Sequence, residues 1–342
     1  MRGTGTRSRG LLRLAIVFAA LTTAACSALY PPVPEPVATD DPTVVEQPLA
    51  TIKVTPLARL PKPPGLPAVA IVMTSAEPAY ADVARELLTY FKDHEIYDLS
   101  DNSRPPVSVL RLINDTDSSA VIAIGLRAAQ SSVAMAATPV VFSQVFNHQD
   151  HDLLREHSRG VAALAPLDAQ IQAWKKIDPT LARIGFIVGE GHDDLIEEAE
   201  IAAARHDVEL RVQIAHSDQE TLYYFRRMIR DIDGFWLLPD NRVLSGRVLQ
   251  QMLTDANRQH VPVVVPRESM LGMGASISIS TVAADIARTI VEIVRKIQAG
   301  RLDRVPPITQ LSEIRVTTND DLLKKQVTVN SIVGRRGQAV DQ

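Results

Sequence analysis

The sequence predicts an α/β protein of two lobes, each a mostly parallel sheet covered by helices. Three observations carry this. Short apolar runs without polar interruption, such as Ala68–Met73 and Ala120–Ile124, alternate with amphipathic stretches. Such runs suit parallel strands buried on both faces. In the middle of the chain, Gly234–Leu238 and Val261–Val265 are each stopped by a proline, Pro239 and Pro266. Between them Val243, Leu244, Val248, Leu249, Met252, Leu253 and Ala256 recur at spacings of three and four, which is a helical face. Finally, 342 residues suffice for two domains, and the same strand–helix plan recurs in both halves.

Composition narrows the function classes. Hydrophobic residues at 46% and charged ones at 22% are ordinary for a globular protein. A net charge of -4 gives no reason to expect nucleic acid, and aromatics at 4% are too sparse for stacking platforms. The single cysteine, Cys26, cannot form an internal disulfide or a cysteine metal cluster.

The chain opens with a targeting pattern over residues 1–25. Arg2, Arg7, Arg9 and Arg13 precede an apolar stretch, Leu14–Leu21, too short to span a bilayer. Thr22-Thr-Ala-Ala-Cys26 resembles a lipobox, with Thr23 where that pattern prefers Leu. The expectation is a lipid on Cys26, and Ser27 after it favours the outer membrane. Residues 26–67 read as a tether: half of the 22 prolines fall between Pro31 and Pro67, with no apolar period. Partly polyproline in character, it reaches on the order of 100 Å at ~3 Å per residue when extended.

The folded part starts at Ala68. Expected strands are Ala68–Met73, Ile96–Leu99, Ala120–Ile124 and Pro139–Phe142, with helices over Ala79–Phe91, Pro105–Ile113 and Arg127–Ala136 between them. Asn147–Arg159 is polar, holds His148, His151 and His157, and reads as the first crossing between lobes. A helix over Pro166–Lys176 follows, then strands Ile184–Val188 and Val208–Ile214. Asp194 with Glu197 and Ser217 with Glu220 have capping-box spacing before two further helices. After the central stretch, Ile277–Ser280 alternates and is expected to cross back, Val282–Gln298 is a long amphipathic helix closed by Gly300, and Ile314–Val316 and Asp320–Lys325 end the pattern. The expected division is 68–146 plus about 281–307 for the first lobe and 147–280 plus about 308–333 for the second, with 334–342 a disordered tail.

The order of motifs resembles the substrate-binding proteins of ABC transporters, in the family that includes binders of aromatic amino acids and other small solutes. The residues that carry the likeness are Leu238-Pro-Asp-Asn241, Val261-Pro-Val-Val264 and Gly274-Ala275, within about Ala68–Val329. The resemblance implies two Rossmann-like lobes joined by a hinge, as in type I periplasmic binding proteins. It also implies a small-molecule solute between the lobes, an ABC permease with its ATPase as partner, and a place on the periplasmic side of the envelope. The chain departs from the family pattern after the third strand (Gly125-Leu-Arg127 for Gly-Thr-Pro), after the fourth (Phe146-Asn-His148 for Thr-Asp-Pro) and at Ser280-Thr281. Ligand identity therefore does not carry over.

In parallel sheets ligands sit beyond the carboxyl ends of the strands. That places Ser75, Glu77, Arg127 and Ser143 of the first lobe and Glu190, Asp240, Asn241, Arg267 and Glu268 of the second as ligand-binding candidates. Arg127 at a helix start suits a carboxylate held bidentately. The histidines near residue 150 lack an argued helix or supporting shell for zinc. Gly189-Glu-Gly191 is followed by Asp193 and Asp194, which would repel a pyrophosphate. No nucleophile elbow or paired carboxylates stand out, so neither an enzyme nor a cofactor is expected. The alternative to transport is an envelope lipoprotein that uses the same fold as a sensor or protein-docking module.

Overall fold

The computed structural model describes residues 68–101 and 103–326, which fall within one compact unit. The leader, Cys26, the proline-rich tether and the tail 334–342 lie outside the described residues.

The first sheet begins with β1 (Val69–Met73), buried along its whole length, then α1 (Pro78–Tyr90), β2 (His94–Asp98), α2 (Pro106–Asn114), β3 (Ala120–Ile124), α3 (Leu126–Met135) and β4 (Val140–Ser143). Prolines open α1 and α2, where a missing N–H costs nothing. A short 3-10 helix, His148–His151, leads to β5 (Ser158–Val161). Here the structure corrects the sequence reading. Residues 147–159 are not a crossing, because β5 pairs in parallel with β4 and extends the first sheet. The chain crosses only after Val161.

The second sheet holds α4 (Leu167–Ile177), β6 (Arg183–Gly189), α5 (Asp193–Arg205), β7 (Glu209–Ala215), α6 (Asp218–Met228), β8 (Gly234–Trp236), α7 (Gly246–Arg258), β9 (Val263–Val265) and β10 (Ile277–Thr281). The chain then returns to the first lobe as α8 (Ala283–Gln298) and β11 (Ile308–Thr309), and ends in the second with β12 (Ile314–Thr318) and a helical stretch from Asp320. β11 pairs with β5, so 308–309 belong to the first sheet, and the last crossing lies between Thr309 and Ile314.

Strand order is β11-β5-β4-β3-β1-β2 in the first sheet and β12-β10-β9-β8-β6-β7 in the second. Every pair is parallel except β10 with β12. Each sheet is covered on both faces. In the first, Val69, Ile71, Met73 and Val141 pack under α1 and α8, while Ala70, Val72, Val140 and Phe142 pack under α2 and α3. In the second, Phe186, Trp236 and Ile277 face α4 and α5, while Phe235, Val263 and Val265 face α6 and α7. Continuous apolar runs in the sequence follow directly from this double burial. In both sheets the strand order reverses beside the first strand, β1 in one and β6 in the other, so the carboxyl ends of the strands there form the natural place for a ligand.

Candidate functional site

The carboxyl ends of the two sheets line a cleft of about 520 Å3. Glu77 and Tyr80 at the start of α1, Leu126 at the start of α3 and Gln144–Asn147 after β4 form the first-lobe wall. Pro239, Asn241 and 266–269 form the second-lobe wall. Ala163 and Thr281 from two crossings, with Arg315 of β12, complete the lining. Gly125 permits the tight turn into α3: its φ is +85°, and a Cβ there would lie 2.7 Å from Thr74 Oγ1 and 2.9 Å from the Tyr80 ring.

Of the residues the sequence singled out, Glu77, Asn241, Arg267 and Glu268 line this cleft. The other five do not. Arg127 is exposed on α3, and its neighbour Leu126 faces the cleft instead. Glu190 is exposed and sits 3.3 Å from His216. Ser143 is fully buried and Ser75 half-buried, and neither hydroxyl has a hydrogen-bond partner among the described residues.

Asp240 is 1% exposed, and both its oxygens are occupied. Arg242 forks onto it, Nε to Oδ1 at 2.9 Å and Nη2 to Oδ2 at 2.8 Å. The Gly189 amide donates to Oδ2 at 2.9 Å, and the Asn147 amide donates to Oδ1 at 3.0 Å. Burial pushes the Asp240 carboxyl up, but these donors outweigh it and hold it below the usual carboxylate range. Gly189 is required here, because a Cβ would stand 2.8 Å from Asp240 Oδ2.

The roles of Asn147 and Asp150 were missed by the sequence reading, which took their loop for a crossing; Arg242, at the strand end after β8, pairs with Asp150. Asn147 is 6% exposed and donates also to Asn241 Oδ1 at 3.2 Å. A carboxylate only accepts, so the Asn147 NH2 must face Asp240 and its Oδ1 must face His192, 3.0 Å away. The His192 proton is therefore on Nε2. Burial, then the neighbouring Arg242 charge, push the His192 pKa down and favour the neutral ring. Phe146 packs on that ring at 4.8 Å. The only advance signal was position: Asn147 follows β4, at a strand end, where the chain departs from the Thr-Asp-Pro pattern.

The three loop histidines serve the first lobe. His148 lies against Phe142, His151 bonds to Gln130 and His157 to the Val133 carbonyl. Among the described residues no group of three or more His, Cys, Asp or Glu side chains is placed to hold a metal ion.

A family model described as ABC transporter substrate binding protein matches residues 93–340. The chain belongs to this family. Solved structures similar to this substrate-binding protein include a conserved domain protein from Vibrio cholerae, at 20% identity and a TM-score of 0.53. A Streptococcus pneumoniae domain solved in complex with L-Trp aligns at 15% and 0.54. A Clostridium difficile substrate-binding protein with adhesive properties, in its ligand-free open form, aligns at 14% and 0.57. Each alignment covers 76% of this chain and 94% of the other. At such identities the likeness establishes the periplasmic-binding-protein fold and no more. No curated protein matches the chain. Among the described residues of this family member, no helix is long and apolar enough to cross a membrane.

Proposed function

We propose that the chain is a lipid-anchored solute-binding protein on the periplasmic side of the envelope. In this reading it delivers a small solute, an amino acid or another carboxylate, to an ABC permease and its ATPase. The observation that carries it is the cleft. At about 520 Å3 it has the size of a small-molecule site, and both lobes contribute polar groups to it. Glu77 and Gln144 line it from the first lobe, and Asn241, Arg267 and Arg315 from the second. A solute that touches both walls stabilises the closed arrangement by its differential affinity for it. Arg267 and Arg315 are exposed cations suited to a carboxylate, and they replace Arg127 in that role. Cys26 carries the lipid, and the tether holds the body off the membrane.

The test is a thermal-shift screen against amino acids, small carboxylates and sugars, followed by calorimetric titration. A specific solute at a hundred times its dissociation constant adds roughly 2.7 kcal/mol. Arg267→Ala should then weaken a carboxylate solute by roughly ten- to a hundredfold, as expected for a charged hydrogen bond of ~1.5–3 kcal/mol. Arg127→Ala should leave it unchanged.

The second reading is an envelope lipoprotein that keeps the fold as a sensor or docking module. Its support is the departure from the family pattern at positions beside the cleft, Leu126, Phe146 and Thr281 among them. A well-folded protein that binds no solute favours it.

A further inference from the structure

The loop between β4 and β5 belongs to the first lobe but is bonded to the second. Its first-lobe fastenings are Gln144 Nε2 to the Ala79 carbonyl at 3.0 Å, His151 to Gln130 at 3.2 Å and His157 to the Val133 carbonyl at 3.2 Å. From this base it reaches across. Phe146 packs with the second-lobe core and on His192. Asn147 bonds to Asp240, Asn241 and His192, all after second-sheet strands. Asp150 pairs with Arg242 at 2.8 Å. Arg242 is thus shared, one nitrogen on first-lobe Asp150 and two on second-lobe Asp240.

We propose that this cluster is an interlobe clasp that holds the lobes in the closed arrangement without a solute. Asn147, Asp240 and His192 are at most 6% exposed, and their polar groups satisfy one another across the lobe boundary. Opening the lobes would strip Asp240 of one of its donors and leave the Asn147 amide to find water instead. Two buried polar partners separated together cost less than one left alone, so the clasp can still open. The cleft beside the clasp keeps about 520 Å3 while the clasp is made. A solute therefore enters a site whose closure is already partly supplied, and its apparent affinity rises with the fraction of molecules already closed. This inference goes beyond the proposed function, and only its effect on solute affinity rests on that reading.

The test needs no solute. Spin labels on Arg111→Cys of α2 and Arg247→Cys of α7, both exposed, report the distance between lobes in a Cys26→Ser background. The ligand-free protein should give one dominant distance. Asn147→Ala should add a second, longer distance, with the open-to-closed ratio raised about tenfold, which corresponds to ~1.4 kcal/mol. Asp150→Ala, at the exposed end of the clasp, should shift the ratio in the same direction by less. Melting curves identify a variant that has unfolded; Asp150→Ala keeps the test alive if Asn147→Ala does. Two comparable distances in the unsubstituted ligand-free protein would overturn the clasp. So would a single unchanged distance in the folded variants.

Discussion

Asp240 follows a strand and a proline, and such a position reads from the sequence as a turn residue facing solute. The structure gives it another task. Its carboxylate gathers donors from Arg242, Gly189 and Asn147, and it is closed to solvent. Asp240→Ala should destabilise the second lobe by about 1–3 kcal/mol, because the Gly189 amide and the Arg242 fork lose their acceptor. A denaturant titration of the ligand-free protein checks this. His192 adds a pH dependence. Its pKa is lowered in the folded chain by burial and then by Arg242, partly opposed by Asp240, Asp150 and Asp193. The unfolded chain therefore binds the proton first as pH falls. Stability should be intact above about pH 6.5 and decline below it, through the folded pKa. His148, lowered mainly by burial, contributes with the same sign. Melting temperatures between pH 7.5 and 5.5 should fall, and His192→Gln should flatten part of that slope. At this scale the sequence disclosed less. Glu77, Asn241, Arg267 and Glu268 line the cleft because strand ends were a sound guide, whereas the burial and pairing that remove Asp240 from it depend on contacts made far along the chain, and Arg127 leaves it by standing exposed on α3.

Elements were more legible, because the apolar period is a local property. The strands β1, β3 and β4 and the helices α1, α3 and α8 stand within a residue or two of their expected bounds. β5 was invisible: it has four residues, includes Arg159 and follows a polar loop, so no alternation marks it. The expected capping box at α5 is absent. The helix starts at Asp193, and its N-cap, His192, makes no side-chain cap because its ring is turned to Asn147. Asp193 and Asp194 instead favour the positive helix start by charge. At α6 the N-cap does form: Ser217 accepts from the Glu220 amide at 3.2 Å, while the Glu220 carboxylate reaches one residue past the cap and accepts from the His216 amide at 2.8 Å. Ser217→Ala should cost about 1 kcal/mol of stability, read as a shift of the denaturation midpoint without a change of slope. Gly189→Ala should cost about 1–3 kcal/mol, because its Cβ would press on the buried Asp240.

At the scale of the whole molecule, the two-lobed plan follows from the repeat of one strand–helix order, which fixes both sheets and leaves the crossings to be found. Those crossings carry the hinge logic. Asp285, at the start of α8, accepts from the Ser312 and Glu313 amides at 2.7 and 2.9 Å and so ties the last crossing to the first lobe. Burial opposes its ionisation, yet Arg288 and the two amides hold its carboxyl low. Limited proteolysis tests the tether expected from the sequence: cuts should fall between Ser27 and Pro67, where half of the prolines lie and no apolar period runs, and leave the part from Ala68 intact.

The central claim is that the cleft between the lobes binds a small solute. Calorimetric titration of the solute found by the thermal-shift screen, into the unsubstituted protein and into Arg267→Ala and Arg315→Ala, tests it most directly. The account predicts one-to-one binding that both substitutions weaken while the melting curves of the solute-free proteins stay close to that of the unsubstituted chain. Binding left unchanged by both, or no solute bound by a fully folded protein, would contradict it.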